Sequence, residues 1–190
     1  MNKTVVLVLF TALCLVQFVV PASMIYKRET TLRHGEVFKF RTAPIDPYDA
    51  FRGRYVALNY AQSTISGHWP TDEYRRGRIA YAVLERDDEG YARITDVRLG
   101  RPDNQMFLKV RIGGVRANLL TLHLPFDRYY MDEFEAPEAE REFMRQRRNR
   151  QERTAYARTR VHQGFGVIEE LMVEEKPIRE WLMSKDDAEP

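Results

Sequence analysis

The chain reads as a mainly β protein: an antiparallel β-barrel or sandwich-like domain with one inserted α-helix, preceded by an N-terminal transmembrane helix. Three observations lead there. Residues 4–20 carry no charge. The sequence that follows is polar, Arg-rich and repeatedly alternates apolar with polar side chains, the two-residue period of a strand. Between about residues 136 and 153 the alternation gives way to Glu followed by Arg, the charge order that a helix dipole favours.

The apolar run from Thr4 to Val20, extended by Ala22, Met24 and Ile25, approaches the roughly 20 residues needed to cross a bilayer core. A removable signal would use Lys3 as its basic start and Val20-Pro21-Ala22 before Ser23 as its cleavage site. A retained anchor explains why the run continues to Tyr26 and stops at Lys27-Arg28, an interfacial aromatic beside charge. Residues 1–27 are therefore taken as an anchor or uncleaved signal, and residues 28–190 as one extracytoplasmic domain. Lys27, Arg28 and Arg33 after the helix, against Lys3 before it, pull toward a cytoplasmic domain. A short N-terminal tail feeding an export-type segment pulls the other way, and the extracytoplasmic side is adopted. Cys14, the one cysteine, lies inside the apolar run after Leu13, which argues against lipidation and leaves the domain without thiol chemistry.

About 160 residues remain, enough for one domain with a real core. The net charge is only +2, yet eight Arg and two Glu fall between Arg141 and Arg160, while acids dominate from Glu169 onward. Such blocks read as solvated faces, or as a contact for anionic headgroups or an acidic partner. No nucleic-acid recognition motif is present.

Each strand is justified by its pattern. Val37 to Arg41 places Phe38 and Phe40 on one face. Val56, Leu58 and Tyr60 share a face opposite Tyr55, Ala57 and Asn59. Ile79–Glu85 and Tyr91–Arg98 flank Asp87-Asp88-Glu89-Gly90, a hairpin loop. Met106, Leu108, Val110 and Ile112 alternate up to a turn expected at Gly113-Gly114, after which Leu120, Leu122 and Leu124 alternate to Pro125. Tyr156–Val161 and Val167–Val173 bracket a loop at Gln163–Gly166. About eight strands, mostly hairpin-linked, imply antiparallel pairing. Pro137 suits a first helical turn, Glu138, Glu140 and Glu142 load its start, and Arg145 to Arg150 load its end. A short closing helix over Pro177–Met183 would dock Trp181 and Leu182.

The stretch Ala43 to Tyr60 stands out. Asp46-Pro47 sets a turn, Asp49 and Arg52 follow, and Gly53 opens backbone conformations closed to other residues just before a strand. Gly53, Tyr55, Leu58 and Tyr60 match the spacing that names the GDYXXLXY family of bacterial membrane-anchored proteins, which this chain resembles. Arg54 stands where the motif has aspartate. The later Tyr129-Tyr130-Met131-Asp132-Glu133, with Glu138 and Glu140, resembles that family's aromatic–acidic segment. The resemblance spans most of the chain. It implies a single membrane helix, a β-rich periplasmic domain at the bacterial inner membrane, no established activity, and an accessory role beside an integral membrane protein or envelope component. Asp46, Pro47, Asp49, Arg52, Gly53, Arg54, Tyr55, Leu58, Tyr60, Tyr130, Glu133 and Glu140 are the expected partner or ligand contacts. A plainer reading makes Gly53, Tyr55, Leu58 and Tyr60 a turn and a packed strand.

Catalytic patterns are sparse. His34, His68, His123 and His162 stand singly, without ligand spacing, and no metal or other cofactor is implied. No Gly-x-Ser-x-Gly or Ser-x-x-Lys occurs. Ser23-Met24 and Lys109 are faintly similar to the Ser/Lys pair of a type I signal peptidase, the alternative hydrolase reading, although the Pro-Thr that should follow is replaced by Ile25-Tyr26. Asp132, Glu133, Glu135, Glu138 and Glu140 read as a solvated helix entrance in preference to an acid–base set.

Overall fold

A computed structural model describes residues 3–43, 55–130 and 155–181. The apolar N-terminus forms α1 (Lys3–His34), 32 residues long and so about 48 Å at 1.5 Å per residue. Its apolar stretch is long enough to cross a membrane, and none of it is buried against the rest of the chain. One residue, Gly35, separates α1 from β1 (Glu36–Ala43). The Gly35 amide donates to the Thr31 carbonyl oxygen at 2.9 Å, which closes the helix C-terminus by satisfying one of its orphan acceptors.

The barrel is made of two antiparallel five-stranded sheets. The first runs β12 (Lys176–Pro177), β11 (Phe165–Val173), β10 (Ala155–His162), β1 and β3 (Asn59–Tyr60). The second runs β4 (Thr64–Ser66), β8 (Leu119–His123), β7 (Phe107–Arg116), β5 (Ile79–Arg86) and β6 (Ala92–Arg98). Isolated bridges from Lys39 to Tyr91 and from Leu108 to Gly164 stitch one sheet to the other, giving a nearly closed barrel that leaves little exposed edge. A separate two-stranded ribbon pairs β2 (Tyr55–Ala57) with β9 (Arg128–Tyr130).

The core follows the alternation. Phe38, Phe40, Leu108, Val110, Ile112, Leu120, Leu122, Val161 and Leu171 all point inward and are buried. At the far end of the chain Ile178 and Trp181, in a helical turn over 178–181, plug the barrel as the closing-helix pattern suggested. Leu182 and the expected helix over 136–153 lie outside the described residues.

Two expectations need correction. Gly113-Gly114 is not the turn between β7 and β8. The strand runs through both glycines to Arg116 with a register slip between Ile112 and Gly114, and the reversal comes at Ala117-Asn118. Gly113 tolerates this bulge because a Cβ there would meet His123 Nε2 at 2.9 Å, and bulges recruit glycine for such close approaches. The second correction is small: the loop at residues 163–166 contracts to Gln163-Gly164, whose φ values of 47° and 81° are those of a two-residue primed turn. The loop at Asp87–Gly90 is as read: Asp87 Oδ1 accepts from the amides of Glu89 and Tyr91 at 3.0 and 2.8 Å, and Gly90 takes φ 82°.

Candidate functional site

The motif strand is split between two neighbours. Its first part, β2, pairs with β9 in the register Tyr55–Tyr130, Val56–Tyr129 and Ala57–Arg128. At Leu58 the strand crosses over: the Leu58 amide donates to the Asp127 carbonyl oxygen at 2.7 Å. Its second part, β3, then pairs with β1 through Tyr60–Thr42 and Asn59–Ala43. The two segments singled out separately in the sequence thus meet in one ladder through Tyr55–Ala57 and Arg128–Tyr130.

Leu58 and Tyr60 sit in the core, so their part in this fold is packing and no partner reaches them from outside. The Tyr60 hydroxyl donates to the Phe126 carbonyl oxygen at 2.8 Å. Its ring meets those of Phe40 and Phe126 edge-on, with centroids 5.8 and 5.4 Å away, the geometry that aromatic quadrupoles favour. Burial first, and the Asp127 charge second, push the Tyr60 hydroxyl far above its ordinary range, so it remains a neutral donor. Of the remaining expected contacts, Tyr55 and Tyr130 are placed by their backbone pairing. Asp46, Pro47, Asp49, Arg52, Gly53, Arg54, Glu133 and Glu140 lie outside the described residues.

Beside this ladder lies a cleft of about 540 Å³ lined by Arg28 of α1, by Pro125–Tyr129 leading into and along β9, and by Phe165–Glu169 of β11. Arg28 sits two residues past Tyr26, where the apolar part of α1 ends. Lys27 lies over the Phe165 ring at 4.3 Å, a cation–π contact that fixes α1 against the β10–β11 hairpin. Thr31, one turn on, is buried. The cleft contains both signs of charge. Glu169 pairs with Arg158 at 3.3 Å and Arg160 at 3.2 Å, and Asp127 lies 3.7 Å from Arg128.

At the end of α1, His34, Glu36, Arg101, Phe107 and His162 line a smaller cavity of about 280 Å³. There His34 and His162, scattered in sequence, come within 6.5 Å between ring centroids. His34 Nδ1 faces the Thr30 carbonyl oxygen at 3.3 Å. No group of three metal-ligand side chains occurs among the described residues. Ser23 spends its hydroxyl on the Val20 carbonyl oxygen at 2.7 Å. Lys109 is exposed on β7, whereas a Ser/Lys mechanism depends on a desolvated lysine.

The sequence model of the GDYXXLXY protein family matches residues 17–171, from within α1 to within β11. The chain belongs to the GDYXXLXY family. No curated protein and no solved structure matches it. Within this GDYXXLXY protein the motif therefore does two local jobs. Leu58 and Tyr60 anchor the barrel interior, and Tyr55 to Ala57 form the ribbon with β9.

The cleft itself had no sequence signal. Arg28, Asp127, Arg128, Phe165 and Glu169 come from three distant stretches, and no local pattern shows that they meet.

Proposed function

We propose that this GDYXXLXY protein is a single-pass, membrane-anchored accessory protein of the bacterial inner membrane, with its barrel on the periplasmic side. It acts by binding, without catalysis, and its partner is an integral membrane protein or another envelope component. The observation that carries this is the junction at Gly35: an unburied apolar helix passes directly into the barrel. The barrel is thereby held at the bilayer surface, within reach of proteins embedded in it. The segments 46–57 and 129–140, which meet at the described pairing of Tyr55–Ala57 with Arg128–Tyr130, supply the contact surface.

In-cell crosslinking of the tagged full-length chain, with mass-spectrometric identification, tests the reading. One stoichiometric multi-span partner, trapped through residues 46–57 or 129–140, is the expected result. A scatter of abundant envelope proteins would refute it. Sidedness is tested by Gly100→Cys in a Cys14→Ala background, since a Cβ at Gly100 meets no atom within 4 Å. A membrane-impermeant maleimide applied to spheroplasts should label it. Protection until lysis would place the domain in the cytoplasm.

A further inference from the structure

The cleft between α1, β9 and β11 has chemistry beyond that of a partner contact, and its depth is set by the helix. Arg28 lies about 3 Å along the axis from Tyr26 at 1.5 Å per residue. A bilayer of about 40–45 Å with a core of about 30 Å leaves a polar layer of roughly 5–7 Å on each side. With Tyr26 at the core boundary, Arg28 and the mouth of the cleft stand within the headgroup layer. This depth rests on the proposal above that α1 spans the membrane.

In and around the cleft five cations, Lys27, Arg28, Arg128, Arg158 and Arg160, face three carboxylates, Asp127, Glu169 and Glu170. Arg28 and Arg128 line it, with Lys27 held at its edge on Phe165. Glu169 is neutralised by Arg158 and Arg160 together, and Glu170 pairs with Arg158 at 2.9 Å. Behind them the Arg160 Nε–H makes no hydrogen bond, and the Arg158 Nε lies 3.3 Å from Glu169 Oε2. Asp127 lies 3.7 Å from Arg128, with 70% of its side chain exposed. The volume of about 540 Å³ falls in the range of about 300–1,000 Å³ typical of small-molecule sites. Tyr129 and Phe165 add aromatic walls suited to the glycerol and upper acyl region.

We infer that this cleft binds the phosphodiester of a membrane phospholipid, with Arg28 and Arg128 as the guanidinium donors. Guanidinium groups match phosphate oxygens in a way that ammonium groups do not. Asp127, mostly exposed beside Arg128, gives a headgroup amine a carboxylate to meet, which favours phosphatidylethanolamine over phosphatidylglycerol.

The test uses the full-length chain extracted in mild detergent and examined by native mass spectrometry. Wild type should retain one phospholipid per chain through extensive delipidation. Arg28→Gln and Arg128→Gln should each lower that retained fraction at least about fivefold while the melting temperature, measured in excess detergent, stays within a few degrees. No retained lipid, or equal retention in both variants, overturns the inference. Dihexanoyl-phosphatidylethanolamine and inorganic phosphate are then compared in thermal-shift titrations. Protection by the lipid alone supports a headgroup site, and equal protection by inorganic phosphate makes it a soluble-phosphate site and refutes the lipid assignment. A parallel carbonate wash of native membranes separates the two levels of argument. Release of the chain would remove the membrane reading itself, and retention with no lipid bound would remove only this site.

Discussion

Replacing Tyr60 by Phe deletes one oxygen and keeps both ring contacts, which makes it the sharpest test of what the motif tyrosine does. In the folded chain that oxygen is buried and donates to the Phe126 carbonyl at 2.8 Å. The substitution leaves a buried acceptor without its donor, at a cost of about 1–3 kcal/mol. For a domain of this size each kcal/mol corresponds to about 2–4 °C in Tm, so a fall of roughly 2–12 °C is expected. Tyr60→Ala also removes the edge-on packing with Phe40 and Phe126 and should cost about 3–5 kcal/mol, as for other large aromatic truncations. The assay is thermal unfolding of the full-length protein in detergent, followed through Trp69 and Trp181 fluorescence. Crosslinking yield per folded molecule should be unchanged in Tyr60→Phe. An unaltered Tm, or lost crosslinking at full stability, would refute the packing role and return Tyr60 to the contact surface.

Three further outcomes are expected. Gly164→Ala puts a methyl group 2.5 Å from Phe107 Cε2 at a residue with φ 81°; strain and clash together should remove about 1–3 kcal/mol, seen as a lower Tm. The Tyr156 hydroxyl is pushed up to about 12, first by burial, then by its hydrogen bond to Glu175 and that carboxylate's charge. Because the folded state holds this proton more tightly than the unfolded state, stability should be intact below about pH 10 and fall between about 10 and 12, and Tyr156→Phe should flatten that part of the pH–Tm profile. Arg54→Asp restores the motif's acid; if Arg54 contacts the partner, crosslinking through residues 46–57 should drop severalfold at constant Tm, and an unchanged yield would reduce the position to turn geometry.

Much of the barrel was legible because period-two alternation is a direct record of which face is buried. Phe38, Phe40, Leu108, Val110, Ile112, Leu120 and Leu122 all occupy the core that the pattern assigned to them. Turns were read where their chemistry is strong, as at Asp87–Gly90, and misread where it is not. Ala117 takes φ 52°, a conformation that alanine rarely supplies, while the more turn-like Gly113-Gly114 was absorbed into a bulge. The short strands β4, β9 and β12 span three, three and two residues, too few for any period to show. The cleft was illegible for a different reason. Its charges come from α1, β9 and β11, and their meeting depends on how the helix leans on the hairpin, which only tertiary packing decides. The split of the motif strand at Leu58 likewise depends on a long-range bond to Asp127.

The single residue between α1 and β1 makes this molecule a lever. The apolar stretch from Thr4 to Ile25 is about 33 Å long as a helix, slightly more than a bilayer core of about 30 Å, and membranes of different thickness accommodate such a helix by changing its tilt. With Lys27 clamped on Phe165 and Thr31 buried, the barrel must follow. A tilt change of about 10° would carry the far end of β1, roughly 26 Å beyond the helix exit at about 3.3 Å per residue, sideways by some 4–5 Å. That is comparable to the spacing between neighbouring strands. With α1 spanning the membrane as proposed, bilayer thickness is converted into the position of the barrel over whatever lies beside it.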